Sequence, residues 1–132
     1  MTLNSFDILE NAKVLFDQIE NNNDESMIRT VVSRAYYSVF HGALELFDNK
    51  YDWPVDSGLK AGVHERLYSR FDNHDFSDKD KRKTIAKIKN KLLILKKQRV
   101  KADYKLDVSI TSLDARYILS EVEIILNELK SI

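Results

Sequence analysis

Residues 24–49 read DESMIRTVVSRAYYSVFHGALELFDN, and this run decides the fold. At about 100° per residue, Ile28, Val32, Val39, Ala43, Leu46 and Phe47 gather on one side of a helix. Arg34, Tyr37, Ser38, His41 and Glu45 gather on the other. Tyr51-Asp52-Trp53-Pro54 closes the pattern, because proline cannot continue a helix and restricts the residue before it.

Working outward, the same reading predicts four further helices. Upstream, Phe6, Leu9, Leu15, Phe16 and Ile19 mark a helix from about Ser5 to Glu20, interrupted by Asn21-Asn22-Asn23, whose side chains compete for the backbone. Downstream, Leu59, Val63, Leu67 and Phe71 predict a helix from about Ser57 to Phe71, broken by Asp72-Asn73-His74-Asp75. Ser77-Asp78-Lys79-Asp80 has the pattern of an N-cap and acidic first turn, followed by a helix to about Val100 with Ile85, Ile88, Leu92 and Leu95 as its seam. Residues 101–110 alternate apolar with polar and read as a short extended connection. Thr111 or Ser112 then caps a fifth helix carried by Leu113, Ile118, Val122, Ile125, Leu126 and Leu129. The expected fold is all-α: an up-and-down bundle of four to five helices forming one domain over residues 1–132.

Composition agrees. Apolar residues make up 43% of the chain and charged residues 32%, the balance of a folded globular protein. Three glycines and one proline in 132 residues suit long helices and few turns. No apolar run approaches the roughly 20 residues that span a bilayer, and MTLNSFDILENAK lacks the layout of a secretion signal. The absence of cysteine excludes disulfides and thiolate metal sites and fits a cytoplasmic location. Net charge is zero but unevenly placed: twelve of 21 Lys/Arg fall between Lys79 and Lys105, opposed there by Asp80 and Asp103 alone. That basic run reads either as a solvated helix face or as a docking stripe for an anion such as RNA or a partner's acidic surface.

One more turn along the seam of Ile85, Ile88, Leu92 and Leu95 falls on Arg99. A charge in register with a core stripe is costly unless paired or set at a cleft. Three readings follow: a buried ion pair, a ligand cleft at the bundle end, or a side chain reaching out to solvent. Asp103 and Tyr104 follow closely enough to meet the guanidinium. On the earlier helix, Arg34, Tyr37, Ser38 and His41 are spaced to share one face, which is either solvated or closed against another element. His41 has the intrinsic pKa for proton transfer, though one histidine on a helix says little. His64 and His74 have no ligand spacing, glycine-rich phosphate loops are absent, and no metal or cofactor is expected.

S-R-A-Y-Y-S-V-F-H-G-A at 33–43, followed by L-x-x-x-R-x-x-A-D-Y at 95–104, resembles the HEPN superfamily, and within it the small single-domain bacterial and archaeal members. The resemblance spans about residues 5–130. It implies a four- to five-helix bundle paired as a homodimer, with RNA as its target and a role in toxin–antitoxin or anti-phage defence. It also implies a nucleotidyltransferase antitoxin or larger defence effector as partner. Catalytic members are metal-independent endoribonucleases that use an Arg and a His near the end of a late helix. Carried over, the Arg is Arg99; on an RNA-binding reading the basic run adds Lys96, Lys97 and Lys101, and the earlier helix Arg34, to grip phosphates. The expected His falls on Tyr104, Lys105 or Leu106, so the resemblance implies one of two things. Either Tyr104, Asp103 or His41 takes the proton, or the chain is a non-catalytic subunit.

Overall fold

The computed structural model describes residues 3–19 and 24–132, and these form helices joined by turns and irregular connections, with no strand. The helices are α1 (Ser5–Ile19), α2 (Glu25–Asn49), α3 (Val63–Asp72), α4 (Lys79–Tyr104) and α5 (Ser112–Ser131). The Asn21–Asn23 interruption expected from the sequence lies outside the described residues. No described helix is long and apolar enough to cross a membrane.

α2 is the hub and touches each of the other four helices. α1, α2, α4 and α5 pack around in that order, and α2 also meets α5 across the bundle, whereas α1 and α4 do not meet. Contacts along the chain set the directions. Ser5, at the start of α1, bonds Glu45 near the end of α2, and Arg29, near the start of α2, reaches the end of α4. Lys50, just past α2, bonds the backbone of Ile132, just past α5. α2 and α5 are therefore parallel to each other and antiparallel to α1 and α4. This is an up-and-down four-helix bundle, with the short α3 laid against α2 and α4.

The central position of α2 explains a difference from its sequence pattern. Val31, Ala35, Tyr36 and Phe40 are buried as well as the predicted stripe, of which Leu46 alone is half-buried, and Ser38, placed on the polar side by periodicity, is fully enclosed. Its hydroxyl is satisfied by the Ala35 carbonyl at 2.6 Å, so burial leaves no orphan donor. Gly42 lets α5 approach closely: a Cβ there would lie 2.5 Å from Leu126 Cδ2.

Three other sequence expectations change. α3 starts at Val63, not near Ser57, because Gly58 adopts a left-handed φ of 78° and Gly62 is an extended N-cap. Phe6, Val63 and Leu113 are exposed rather than part of the core. α4 continues past Val100 to Tyr104, over residues that read as extended, and the cause is a capping arginine. Arg29 donates from Nη1 to the carbonyls of Lys101 (3.0 Å), Ala102 (2.9 Å) and Lys105 (3.3 Å) and from Nη2 to that of Val108. Glu25 pairs with Arg29 at 3.6 Å and accepts from the Ile110 amide at 2.7 Å. That amide bond, with help from Arg29, holds the Glu25 carboxyl below its ordinary value. Helix ends leave carbonyls unsatisfied, and a cation there also suits the helix dipole. Arg70 does the same for α2, donating to the Phe47 carbonyl at 2.9 Å and the Trp53 carbonyl at 2.7 Å. Thr111, one of the two caps the sequence offers, caps α5 through a reciprocal capping box with Asp114.

Arg29→Met keeps the aliphatic bulk of this cap but removes its donors. It is expected to destabilise the fold by about 2–3 kcal/mol, the scale for charged hydrogen bonds to part-buried acceptors. Denaturant unfolding, with amide exchange at residues 102–108, checks this, and an unchanged midpoint would show that the cap carries no weight.

Candidate functional site

α4 runs antiparallel to α2, which brings Arg99 opposite Tyr37, one helical turn beyond Ser33. Arg99 Nη2 donates to the Tyr37 hydroxyl at 2.9 Å, and its Nε lies 2.9 Å from Asp103 Oδ2, one turn along α4. That approach is a charge contact out of line with the N–H: Nε is buried and makes no hydrogen bond. Asp103 Oδ2 also accepts from Ser33 Oγ at 3.3 Å. The guanidinium carbon stands 5.3 Å from the Tyr37 ring centre and 5.6 Å from that of Tyr104, a cation between two aromatic faces. Burial alone would lower the pKa of Arg99, but Tyr37, Asp103 and Tyr104 outweigh it and raise it.

Of the three sequence readings of Arg99, the ion pair is present and the reach out to solvent is not. The side chain is 11% exposed and its Asp103 partner 26%, an ion pair at a rim rather than in the core. Beside it opens a cleft of about 740 Å³, lined among others by Arg29, Thr30, Ser33, Arg34, Tyr37 and Asp103. Tyr37 and Asp103, which hold Arg99, are on its wall. Leu106 borders it and Tyr104 is exposed nearby on the last turn of α4.

The remaining predicted residues fall around this point unevenly. Arg34 is exposed and borders the cleft. His41 is exposed one turn beyond Tyr37, its ring 6.4 Å from that of Tyr37, with no hydrogen bond to Arg99. Lys96 Nζ sits 5.7 Å from the Tyr68 ring centre. Lys97 is exposed, and Lys101 is half-buried with its carbonyl taken by Arg29. The basic run is not one continuous stripe: Lys89 pairs with Asp72 at 2.6 Å, and Lys91 lies 3.8 Å from Glu121 and 3.6 Å from Glu128. Arg34, Lys96, Lys97 and Lys101 form no ion pair among the described residues, and neither do Lys79, Lys81, Arg82, Lys83 and Lys87, so uncompensated charge lies at both ends of α4, the Arg99 end included.

His64, which has no motif spacing, joins the same neighbourhood. It is the second residue of α3, and its Nδ1 is 2.9 Å from the Tyr36 hydroxyl. Tyr36 in turn meets the Tyr68 hydroxyl at 2.9 Å, and Tyr68 donates to the Leu92 carbonyl at 3.4 Å. Phe40 packs on the imidazole at 4.9 Å between ring centres. Burial, then Arg99, then Lys96 push the His64 pKa below 6.5, while burial raises those of Tyr36 and Tyr68. Tyr36-Tyr37 in the 33–43 motif was the available signal. A buried tyrosine needs a polar partner, but the sequence does not show that the partner comes from α3.

The sign of the pH effect follows. The folded pKa of His64 lies below the unfolded one, so unfolding takes up a proton, and stability present above pH 6.5 is lost as pH falls below it. The groups facing His64 are Tyr36 from α2, Tyr68 from its own helix, and Lys96 and Arg99 from α4. Between about pH 8 and about pH 5, wild type is expected to lose more melting temperature than His64→Asn. Parallel profiles would mean that His64 gains its proton equally in both states.

Compared with protein-family models, curated proteins and solved structures, the chain matches none of them.

Proposed function

We propose that the chain is a HEPN-type protein of a prokaryotic toxin–antitoxin or anti-phage defence system, acting as a homodimer and binding RNA at the Arg99 site. The observation that carries this reading is the guanidinium held between Tyr37 and Tyr104 beside an open cleft. A planar cation suits a phosphate, the exposed Tyr104 ring suits an unstacked base, and unpaired lysines nearby supply the non-specific grip. The 33–43 and 95–104 motifs support the family assignment, since Tyr37 of one and Arg99 of the other meet directly.

A second reading is a non-catalytic subunit that docks on a nucleotidyltransferase or a larger effector. It is favoured by the side chains found where the resemblance expects a His. Tyr104 is 68% and Leu106 74% exposed, a greasy tip better suited to a protein surface than to proton transfer.

Arg99→Ala separates the roles of this residue. A rim ion pair with cation–π contacts is worth about 1 kcal/mol to the fold, against about 3–5 kcal/mol for breaking a fully buried pair. Affinity for single-stranded RNA is expected to fall about tenfold or more, from the loss of charged hydrogen bonds to phosphate, and wild-type binding should weaken steeply with salt. Fluorescence anisotropy alongside thermal melts measures both. A large melting shift with unchanged affinity would remove Arg99 from the site. Folded wild-type protein that ignores RNA at low salt would favour the subunit reading.

A further inference from the structure

α5 carries two apolar stripes. One, through Ile118, Val122, Ile125 and Leu129, is buried in the bundle core. The other, Leu113, Tyr117 and Ile124, recurs at helical spacing on the outward side and is 43–71% exposed. Beside it on α4, Ile94 is 55% exposed and shares with Leu95, Tyr117, Lys91 and Glu121 a groove of about 280 Å³. Apolar side chains clustered on one face of two adjacent helices mark a surface that another body covers. The charges flanking this seam are sorted by helix. On α4 are Lys91 and Lys87, the latter with no ion pair among the described residues. On α5 are Glu121 and Glu128, which share Lys91 at 3.8 and 3.6 Å. Because α4 and α5 run antiparallel, Lys87, one turn before Lys91, stands at the level of Glu128.

We propose that a second copy of this chain covers this face, laying its α4 on the first copy's α5 around a two-fold axis parallel to the helices. The inference rests on the homodimer reading above, to which it gives a face and an axis, and it does not depend on RNA binding. Such an axis keeps every residue at its own level along the bundle. Lys87 of each copy then meets Glu128 of the other, and Ile94 of each meets the Tyr117–Ile124 stretch of the other. A two-fold running across the helices would stack α4 on α4 and α5 on α5. That sets lysine on lysine and glutamate on glutamate, which like-charge repulsion disfavours. α5 has 20 residues, about 30 Å of helix, and two helices side by side span about 20 Å. The resulting face of roughly 600 Å² approaches the ~800 Å² that each partner gives to a standard interface. The Arg99 cleft lies on the α2 side of α4 and stays open in both copies.

Sedimentation velocity of the full chain over a wide concentration range tests this. Wild type is expected to dimerise, and Ile94→Asp or Tyr117→Asp to raise the dimer dissociation constant at least about tenfold. Both positions are exposed, so circular dichroism should show an intact helical fold in each variant. Val14→Asp, at an exposed site on α1, should dimerise as wild type does. A charge pair tests the axis: Lys87→Glu should weaken the dimer, and adding Glu128→Lys in the same chain should restore it. A dimer that withstands both Ile94→Asp and Tyr117→Asp would overturn this face and leave the homodimer reading standing. Failure of Glu128→Lys to rescue Lys87→Glu would overturn the stacking of α4 on α5. Wild type that stays monomeric at every concentration would overturn both the face and that reading.

Discussion

The site depends on Arg29. This side chain, 9% exposed, reaches from the first turns of α2 to the open carbonyls at the end of α4 and to the loop beyond. It fixes the last turn of α4, and that turn carries Asp103 and Tyr104, two of the groups around Arg99. Without such a cap the orphan carbonyls would have to be met by water, and the terminal turn would fray. The site is thus built on helix ends held by α2, which also supplies Tyr37, Ser33 and Tyr36. One central helix holds the α4 terminus at one end of its span and contributes polar contacts midway.

Electrostatics shapes the Arg99 site as well. α4 is strongly basic in sequence, but its charges do not act together. Lys89 and Lys91 are spent on acidic residues of α3 and α5. Arg99 keeps its charge while sharing it with Asp103, which keeps the guanidinium from swinging freely. A bound phosphate would therefore compete with Asp103, a carboxylate with its own bond from Ser33. This arrangement orients a cation at some cost in net attraction, and the unpaired Lys96, Lys97 and Lys101 supply what Asp103 takes away.

Most of the helices could be read from period and caps, because each long helix carries a stripe and the loops carry few competing signals. Arg99 was identifiable for the same reason: it breaks the chemistry of a seam without breaking its spacing. What escaped was everything that depends on two segments meeting. Residues 101–104 alternate like a strand, yet Arg29, some seventy positions earlier, makes them helical. Ser38 looks polar on a helical wheel but is enclosed, since a helix packed on most sides keeps only a narrow solvated strip, at Ser26, Arg34 and His41. His64 has no motif because its partner, Tyr36, is on a different helix. The start of α3 was misplaced because an apolar pattern continued through two glycines whose backbone did not follow it.

The central claim is that the surface between Tyr37, His64, Lys96, Arg99 and Tyr104 receives a nucleic-acid strand. Backbone amide and side-chain NMR signals followed during titration with a short single-stranded RNA test it most directly. The account predicts shifts concentrated at Arg34, Tyr37, His64, Lys96, Arg99 and Tyr104, with the α1 and α5 faces unchanged. Shifts confined to α1 and α5, or none at saturating RNA, would contradict it.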